Sequence, residues 1–128
     1  MSTLNVANIQ STGSGAPEFK NSSGTEIGQI IKAWVVFDGS GTVSIDNDFN
    51  VSTVADTNTG RFTVNFTTAF TNANYVAAGC AGNDGTTGSG RDITRDGVWT
   101  TSACQLRETY SGSTVIDDPY ISVMFIGE

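Results

Sequence analysis

The sequence predicts an all-β fold, an antiparallel β-sandwich knob that follows an extended N-terminal segment. Composition is the first observation: the 128 residues contain 11 Val and 9 Ile against 2 Leu, and 18 Thr add further β-branched side chains. These side chains are stiff at χ1 and pack well on a pleated sheet. Spacing is the second: short apolar runs recur about every ten residues between Gly-, Asn- and Asp-rich turns, which is typical of sandwiches.

Residues 1–29 differ from the rest of the chain and form the first predicted unit. They contain few large apolar side chains, which lie around a turn-rich stretch at 11–17. A segment of this kind buries too little apolar surface to fold alone. Two interpretations stay open: a flexible tail, or an extended segment that becomes ordered against other chains as an attachment or stalk. In the second case, the contacts with other chains would come from Leu4, Val6, Ile9, Phe19 and Ile27.

Residues 30–128 carry the strands of the predicted knob. Ile30–Phe37 is apolar on both faces apart from Lys32, so we expect this strand to be buried on both sides. A hairpin turn then leads into a strand at 42–45, and we expect Asp46–Asp48 to form the next turn.

The middle of the chain continues the strand pattern. The loss of alternation over 52–54 predicts a β-bulge. Arg61–Thr67 alternates most cleanly, with three large apolar residues on one face. Tyr75–Ala81 is a strand of small residues, which implies close packing against a bulky side chain such as Trp34 or Trp99.

The last third of the chain begins with a long Gly-rich stretch, Gly82–Gly97, which we expect to be a functional or mobile loop. A strand at Val98–Arg107 and a polar turn region at 108–114 follow. The C-terminal strand, Pro119–Ile126, is apolar on both faces, so it belongs in mid-sheet or at a subunit interface.

The residue counts exclude several kinds of site. The chain has no His, which removes Ser-His-Asp and Cys-His catalysis and His-liganded zinc. Two Cys cannot supply a four-thiolate metal site within one chain. A net charge of −7 argues against nucleic-acid binding, because phosphate contacts need clustered Lys and Arg. We therefore predict no cofactor and no nucleic-acid partner.

The acidic residues do not form a recognisable catalytic or metal motif. The stretch 46–50 matches the first half of a calcium loop, but Val51 stands where Gly is needed and Thr57 where Glu is needed, so a hairpin turn is favoured. The carboxylates available for glycoside hydrolysis all lie in loop-like contexts, where we expect them to be solvated with ordinary pKa values. We therefore predict that the chain is not an enzyme; these carboxylates are Asp92, Asp96, Glu108, Asp117 and Asp118.

The Gly-rich stretch nevertheless offers a candidate contact surface in Arg91, Asp92, Arg95, Asp96 and the nearby Trp99. Arg and Asp side chains can hydrogen-bond sugar hydroxyls, and an aromatic face can stack on a sugar ring. The plainer interpretation is a solvated loop with local Arg–Asp pairs that contribute little.

Compartment signals are few. The N-terminus lacks the basic and apolar regions of a signal peptide, and the longest apolar run, Ala33–Phe37, is too short to span a bilayer. We therefore expect synthesis in a cytoplasm and no membrane insertion. Under reducing conditions Cys80 and Cys104 are expected to be two buried thiols rather than a disulfide, although the sequence leaves their pairing open.

Several segments of the first 80 residues resemble small fibre proteins of marine tailed phages, cyanophages in particular. They are strand-and-turn signatures rather than catalytic motifs, and the resemblance fades beyond Gly82. The segments are Leu4–Gly13, Ala16–Lys20, Gly28–Val35, Phe37–Gly39, Gly41–Ile45, Phe49–Ser52, Thr59–Phe66 and Ala73–Tyr75.

The resemblance implies a virion structural protein, made in the host cytoplasm, that forms a homotrimer. Residues 1–29 would attach to other virion proteins and residues 30–128 would form a β knob. Two functions follow: a tail fibre that contacts host surface polysaccharide through Gly82–Gly97 and Trp99, or a purely architectural capsid-decorating fibre or tail component without a receptor. In a threefold assembly the doubly apolar strands Ile30–Phe37 and Ile121–Ile126 would meet at the axis.

Overall fold

A computed structural model describes residues 5–10, 17–82 and 91–127, and every regular element in these ranges is a β-strand. The strands pair antiparallel throughout, so the predicted all-β antiparallel sandwich is confirmed. The strands are β1 Phe19–Lys20, β2 Glu26–Gly28, β3 Ile31–Asp38, β4 Ser44–Phe49, β5 Val51–Asn58, β6 Arg61–Phe66, β7 Val76–Gly82, β8 Arg91–Asp96, β9 Ala103–Tyr110, β10 Thr114–Val115 and β11 Tyr120–Ile126.

The first sheet has the strand order β4-β3-β11-β7, so the two doubly apolar strands of the sequence lie side by side at its centre. Val123 of β11 is paired with Val35 on one side and with Gly79 on the other. The position in mid-sheet is therefore confirmed. Burial on both sides is not seen in the single chain, because only one face of this sheet packs on the core.

The second sheet is built around β9. On one edge of β9, β6 pairs with Ala103–Arg107 and β10 pairs with Thr109 and Tyr110; β8 pairs along the opposite edge. β5 lies beyond β6. The strands thus give a second layer in the order β8-β9-β6-β5, extended by the short β10.

The core fills the space between the two sheets. Alternate residues of each strand point into it, as the period of two in a strand requires. The buried apolar residues are Ala33, Val35, Phe37, Val51, Phe62, Val64, Phe66, Phe70, Tyr75, Trp99, Cys104, Leu106, Ile121, Val123 and Phe125. The clean alternation predicted for residues 61–67 is confirmed by β6.

The chain passes from the first sheet to the second at Asn50, which has a positive φ of 58°. Its side chain fixes this corner: Nδ2 donates to the carbonyl oxygens of Lys32 (3.1 Å) and Thr68 (3.0 Å), and Oδ1 accepts from the Thr68 amide (2.6 Å). The turn predicted at 46–48 is wrong, because β4 runs through these residues. The predicted bulge is confirmed by a register shift between Val51 and Thr53.

Three further predictions about the second half of the chain are corrected. The expected loop Gly82–Gly97 contains strand β8, which pairs with β9 and places Ile93 against the core; residues 83–90 of that loop lie outside the described residues. The polar turn expected at 108–114 is confined to residues 111–113, because residues 108–110 form the end of β9. Cys80 is exposed rather than buried, while Cys104 is buried, and both are free thiols.

The described residues before Ile31, in the ranges 5–10 and 17–30, form no part of the sandwich sheets. β1 and β2 pair only with each other, and the turn between them is closed by Asn21, whose side chain accepts from the backbone amides of Ser23 and Thr25 at 3.0 and 2.9 Å. The first strand of the sandwich begins at Ile31, close to the predicted boundary between residues 29 and 30.

Candidate functional site

The five residues predicted to contact a host lie on β8 and on the connection that follows it, but the structure does not bring them into one site. Because β8 is a strand, its side chains alternate between two faces. Arg91 and Arg95 share a face with Ile93, which packs on the core, whereas Asp92 and Asp96 belong to the outer face.

Arg95 and Trp99 are the two predicted residues that meet. The guanidinium carbon of Arg95 lies 4.8 Å from the centre of the Trp99 ring, and the ring of Tyr75 stacks on Trp99 with centroids 5.0 Å apart and an angle of 11°. Trp99 is only 8% exposed, and its indole nitrogen donates to the carbonyl oxygen of Gln105 at 2.8 Å. The ring is held by these three contacts, so it is not presented as a bare face for a sugar.

The stack continues beyond Tyr75 across one end of the sandwich. Phe70 stacks on Tyr75 at 4.3 Å, and the ammonium group of Lys32 lies 5.1 Å from the Phe70 ring. The Tyr75 hydroxyl reaches the carbonyl oxygens of Thr100 and Ala103, both at 3.0 Å. Burial raises the pKa of Tyr75. The arrangement is a pillar of three rings with a cation at each end, and it joins the approach to β7 to the approach to β9.

Arg91 is engaged in a different cluster. Its guanidinium binds the carboxylate of Asp118 through Nε and, at 3.2 Å, through Nη2, and it lies 4.6 Å from the ring of Tyr110. The side chains of Arg91 and Asp118 are 11% and 3% exposed. A bidentate pair at this depth is strong and directional, so Arg91 holds the protein together here and is closed to an outside ligand.

Glu108 completes this buried cluster. It has no exposed surface; its Oε2 accepts from the Asp118 amide at 3.2 Å, and its Oε1 has no hydrogen-bond partner among the described residues. Burial, with a further contribution from the neighbouring Asp118, raises the pKa of Glu108 to about 8. Two carboxyls thus share one guanidinium, and the proton retained on Glu108 avoids a second buried negative charge.

The expectation that Glu108 and Asp118 are solvated is therefore wrong. Alternation along β9 is the signal that could have found Glu108, because Cys104 and Leu106 are both core residues and Glu108 is the next position on the same face. The backbone packs closely around Glu108. A Cβ on Gly60, where φ is +64°, would lie 2.7 Å from the carbonyl oxygen of Glu108, so only glycine fits at this position.

The remaining predicted contact residues lie on the outer surface of the second sheet. Asp96 forms an ion pair with Arg61, with side chains 24% and 40% exposed. Asp92 is exposed. Of the five predicted residues, Asp92 and Arg95 are therefore the most accessible, and the assignment of host contact to this region stays a prediction.

The outward face of the second sheet is polar, and we call it the polar face. Its side chains pair with one another; for example, the Asn65 amide donates to the Thr53 hydroxyl at 2.9 Å. Its outward residues are Thr53, Arg61, Thr63, Asn65, Asp92, Thr94, Asp96, Gln105, Arg107 and Thr109.

The outward face of the first sheet is apolar, and we call it the apolar face. Cross-strand pairing aligns Phe49, Trp34, Met124 and Ala78 in one row, and a second row contains Asn47, Val36, Ser122 and Cys80. Val76 and Ile126 extend the surface at one end. Phe49, Met124 and Val76 are 54%, 40% and 63% exposed, so the face lies open in the single chain.

The predicted virion-contact residues also lie in the open. Val6, Ile9, Phe19 and Ile27 are 50%, 64%, 45% and 68% exposed. Leu4, the fifth predicted contact, lies outside the described residues.

No group of three or more Asp, Glu or Cys side chains is placed to hold a metal ion in residues 5–10, 17–82 and 91–127. The same part of the chain contains no helix long and apolar enough to cross a membrane. In comparisons with known proteins, no family model, no curated protein and no solved structure matches this chain.

Proposed function

We propose that this protein is a structural component of a phage virion, a homotrimeric fibre knob that attaches the particle to the host surface. One observation carries the proposal: the described N-terminal residues lie outside the sandwich sheets, with Val6, Ile9, Phe19 and Ile27 in solvent. Exposed apolar side chains on a segment whose longest described element is a three-residue strand favour a role in contacts with other chains. The resemblance of the first 80 residues to marine phage fibres supplies the biological setting.

The host contact in this proposal belongs to the region between β7 and β8. These are edge strands of the two sheets, and residues 83–90 connect them. On β8, which follows this connection in the chain, Asp92 and Arg95 supply a carboxylate and a cation, which are groups that bind sugar hydroxyls. Three copies on one fibre would multiply a weak affinity for a polysaccharide through avidity.

The alternative function is a purely architectural fibre or tail component without a receptor. It needs the same attachment segment and the same trimer, and it differs only in the role of residues 83–90.

The experiment compares two full-length variants with the wild type in the phage that encodes this chain. In the first, Val6, Ile9, Phe19 and Ile27 are replaced by Ser; because these side chains are exposed, the sandwich should fold normally. We expect this protein to be lost from purified particles, as measured by mass spectrometry. Wild-type incorporation would contradict attachment through residues 1–29.

In the second variant, residues 84–89 are replaced by a Gly-Ser linker, which leaves β8 and the Arg91–Asp118 pair intact. We expect normal incorporation with host adsorption at least about tenfold slower. Unchanged adsorption would favour the architectural alternative. Absence of the wild-type chain from particles would overturn both functions.

A further inference from the structure

We infer that the apolar face of the first sheet is the interface between copies of this chain, and that the partner it binds is the same face of a second copy. The inference rests on the proposed function for the number of copies, because it takes the homotrimer from that proposal and identifies the surface through which its copies bind. It depends on neither the virion location nor the receptor.

The chemistry of the face is that of an interface interior. Lys32 and Asp38 stand at opposite ends of the outward positions on β3, and between them lie only Trp34 and Val36. β11 presents Ser122 and Met124 there. The edge strand β4 adds the exposed Asp46 and Asp48. The charged side chains of this sheet thus lie at strand ends or on the edge strand, which is the distribution that protein interfaces show. With strands about 4.8 Å apart and residues about 3.3 Å apart, four strands by six residues cover about 400 Å² in plan, which is the size of the largest apolar patch on many monomers, a patch that is often functional.

The variation in side-chain size across the apolar face indicates which partner fits it. Along the row Phe49–Trp34–Met124–Ala78, side-chain size falls from two aromatic rings to a methyl group. Where the side chains are small, over Ala78 and Cys80 of β7, the face contains a groove of about 440 Å³ that Trp34 and Met124 also line. Each copy therefore presents both a ridge, formed by Phe49 and Trp34, and a groove that can receive the ridge of another copy.

A ridge and a groove on one surface make that surface complementary to itself. Insertion of the Phe49–Trp34 ridge of one copy over Ala78 of the next closes a ring when the rotation between copies is 120°. Other occupants lack this match: the polar face carries charged and hydrogen-bonding groups that would be left unpaired against apolar side chains. The described N-terminal residues carry few large apolar side chains, and Phe19 is the one aromatic ring among them, so they do not match the ridge of a second copy.

The test changes the face without changing the core. Met124→Arg places a charge at an exposed position on the central strand of the apolar face, and Gln105→Arg places the same charge at an exposed position on the central strand of the polar face. We expect the wild type and Gln105→Arg to have three times the 13.4 kDa mass of one chain by light scattering, and Met124→Arg to be monomeric at the same concentration. A trimeric Met124→Arg would overturn the inference while leaving the proposed trimer intact.

A second variant covers the case in which Met124→Arg does not fold. Ala78→Trp fills the groove from within the same chain and adds no charge. We expect this variant to dissociate at a protein concentration at least about tenfold higher than the wild type does. Association as strong as the wild type would overturn the inference. A wild-type monomer would overturn both the inference and the proposed trimer, and a wild-type dimer that Met124→Arg dissociates would support the interface and contradict the trimer.

The N-terminal segment is tested as a rival occupant with the four-Ser variant described above. If sister faces cover each other, this variant keeps the wild-type mass. If it becomes monomeric, the segment and not the second face is the partner, and the inference fails.

Discussion

The two outward faces of this sandwich have the same alternating strand geometry but differ in the polarity of their side chains. On the second sheet the outward side chains are polar and bind one another, as in the Arg61–Asp96 and Asn65–Thr53 pairs. On the first sheet the corresponding positions are Trp34, Met124 and other apolar residues that stay open in the single chain. One face thus presents mostly polar groups to water, while the other exposes apolar surface that a covering partner would remove from water.

The interiors of the two sheets differ as well. The inward positions of β3 and β11 are apolar throughout. In the second sheet, β9 turns Glu108 inward beside Asp118 and Arg91. The sheet with the polar surface therefore contains the buried charges, and its stability depends on their pairing.

The largest expected difference concerns two arginines of the second sheet at different depths. Arg91→Ala removes the only cation described beside two buried carboxyls and should lower the free energy of unfolding by about 3–5 kcal/mol. Arg61→Ala breaks a half-exposed pair and should cost no more than about 1 kcal/mol. Urea unfolding of both variants at pH 8.5 and at one protein concentration provides the measurement. Equal losses would contradict the assignment of Arg91 to a buried, structural pair.

The next effect is a pH dependence that arises in the second sheet. The folded protein keeps the proton on Glu108 up to about pH 8, whereas the unfolded chain releases it near the ordinary value of 4.5. Folding therefore takes up a proton between these values, so stability should fall as the pH rises from about 5 to about 8 and level off above. The expected change is on the order of a few kcal/mol.

Glu108→Gln supplies the control for this pH dependence. The amide stays neutral at every pH, so the unfolding free energy of this variant should lose most of its slope between pH 5 and 8. A slope equal to that of the wild type would assign the pH dependence to other groups.

A smaller effect is expected where the aromatic pillar joins the two sheets. Tyr75→Phe removes the hydroxyl that reaches the carbonyl oxygens of Thr100 and Ala103 and should cost about 1 kcal/mol. Because the ring stack on Trp99 remains, the variant should keep the near-ultraviolet tryptophan circular dichroism spectrum, although one tyrosine chromophore is lost. Loss of that spectrum would show that the hydroxyl, rather than the stacking, positions the rings.

The smallest effect on stability is expected at Arg95. Its cation–π contact with Trp99 is near the surface, so Arg95→Ala should lower the unfolding free energy by about 0.5–1 kcal/mol. The same variant should adsorb more weakly to host cells if the region beside residues 83–90 binds polysaccharide. Arg61→Ala is the matched control on the polar face, and equal adsorption of the two variants would remove Arg95 from the proposed contact.

The sequence predicted the sandwich because β-branched composition and alternation, as in Phe62, Val64 and Phe66, depend on local physics alone. It also predicted that the C-terminal strand, now seen as β11, lies in mid-sheet or at a subunit interface, since it is apolar on both faces. It missed β8 because Gly and Asp around Arg91–Asp96 are typical of loops, and the pairing with β9 is a contact that sequence spacing does not reveal. The buried state of Glu108 was missed because a carboxyl is assigned to solvent unless its partner, here Asp118, is known.

The candidate site residues show the same difference between what local sequence predicts and what depends on contacts between distant residues. Arg91 and Trp99 were chosen for their chemistry, but the structure uses them internally, against Asp118 and Tyr75. The groove on the apolar face could not be predicted from composition, because it arises from the cross-strand alignment of Trp34, Met124 and Ala78.

The most direct test of the central claim, that copies of the chain cover the apolar face, uses its own cysteine. Cys80 is exposed in the groove, whereas Cys104 is buried with its pKa raised to about 12, so an aqueous thiol reagent reports on Cys80 alone. We predict that Cys80 of the native protein reacts at least about tenfold more slowly than in Met124→Arg, and that its rate rises on dilution as the copies separate. Rapid labelling of Cys80 in the native protein, at a rate independent of concentration and equal to that of Met124→Arg, would contradict the account.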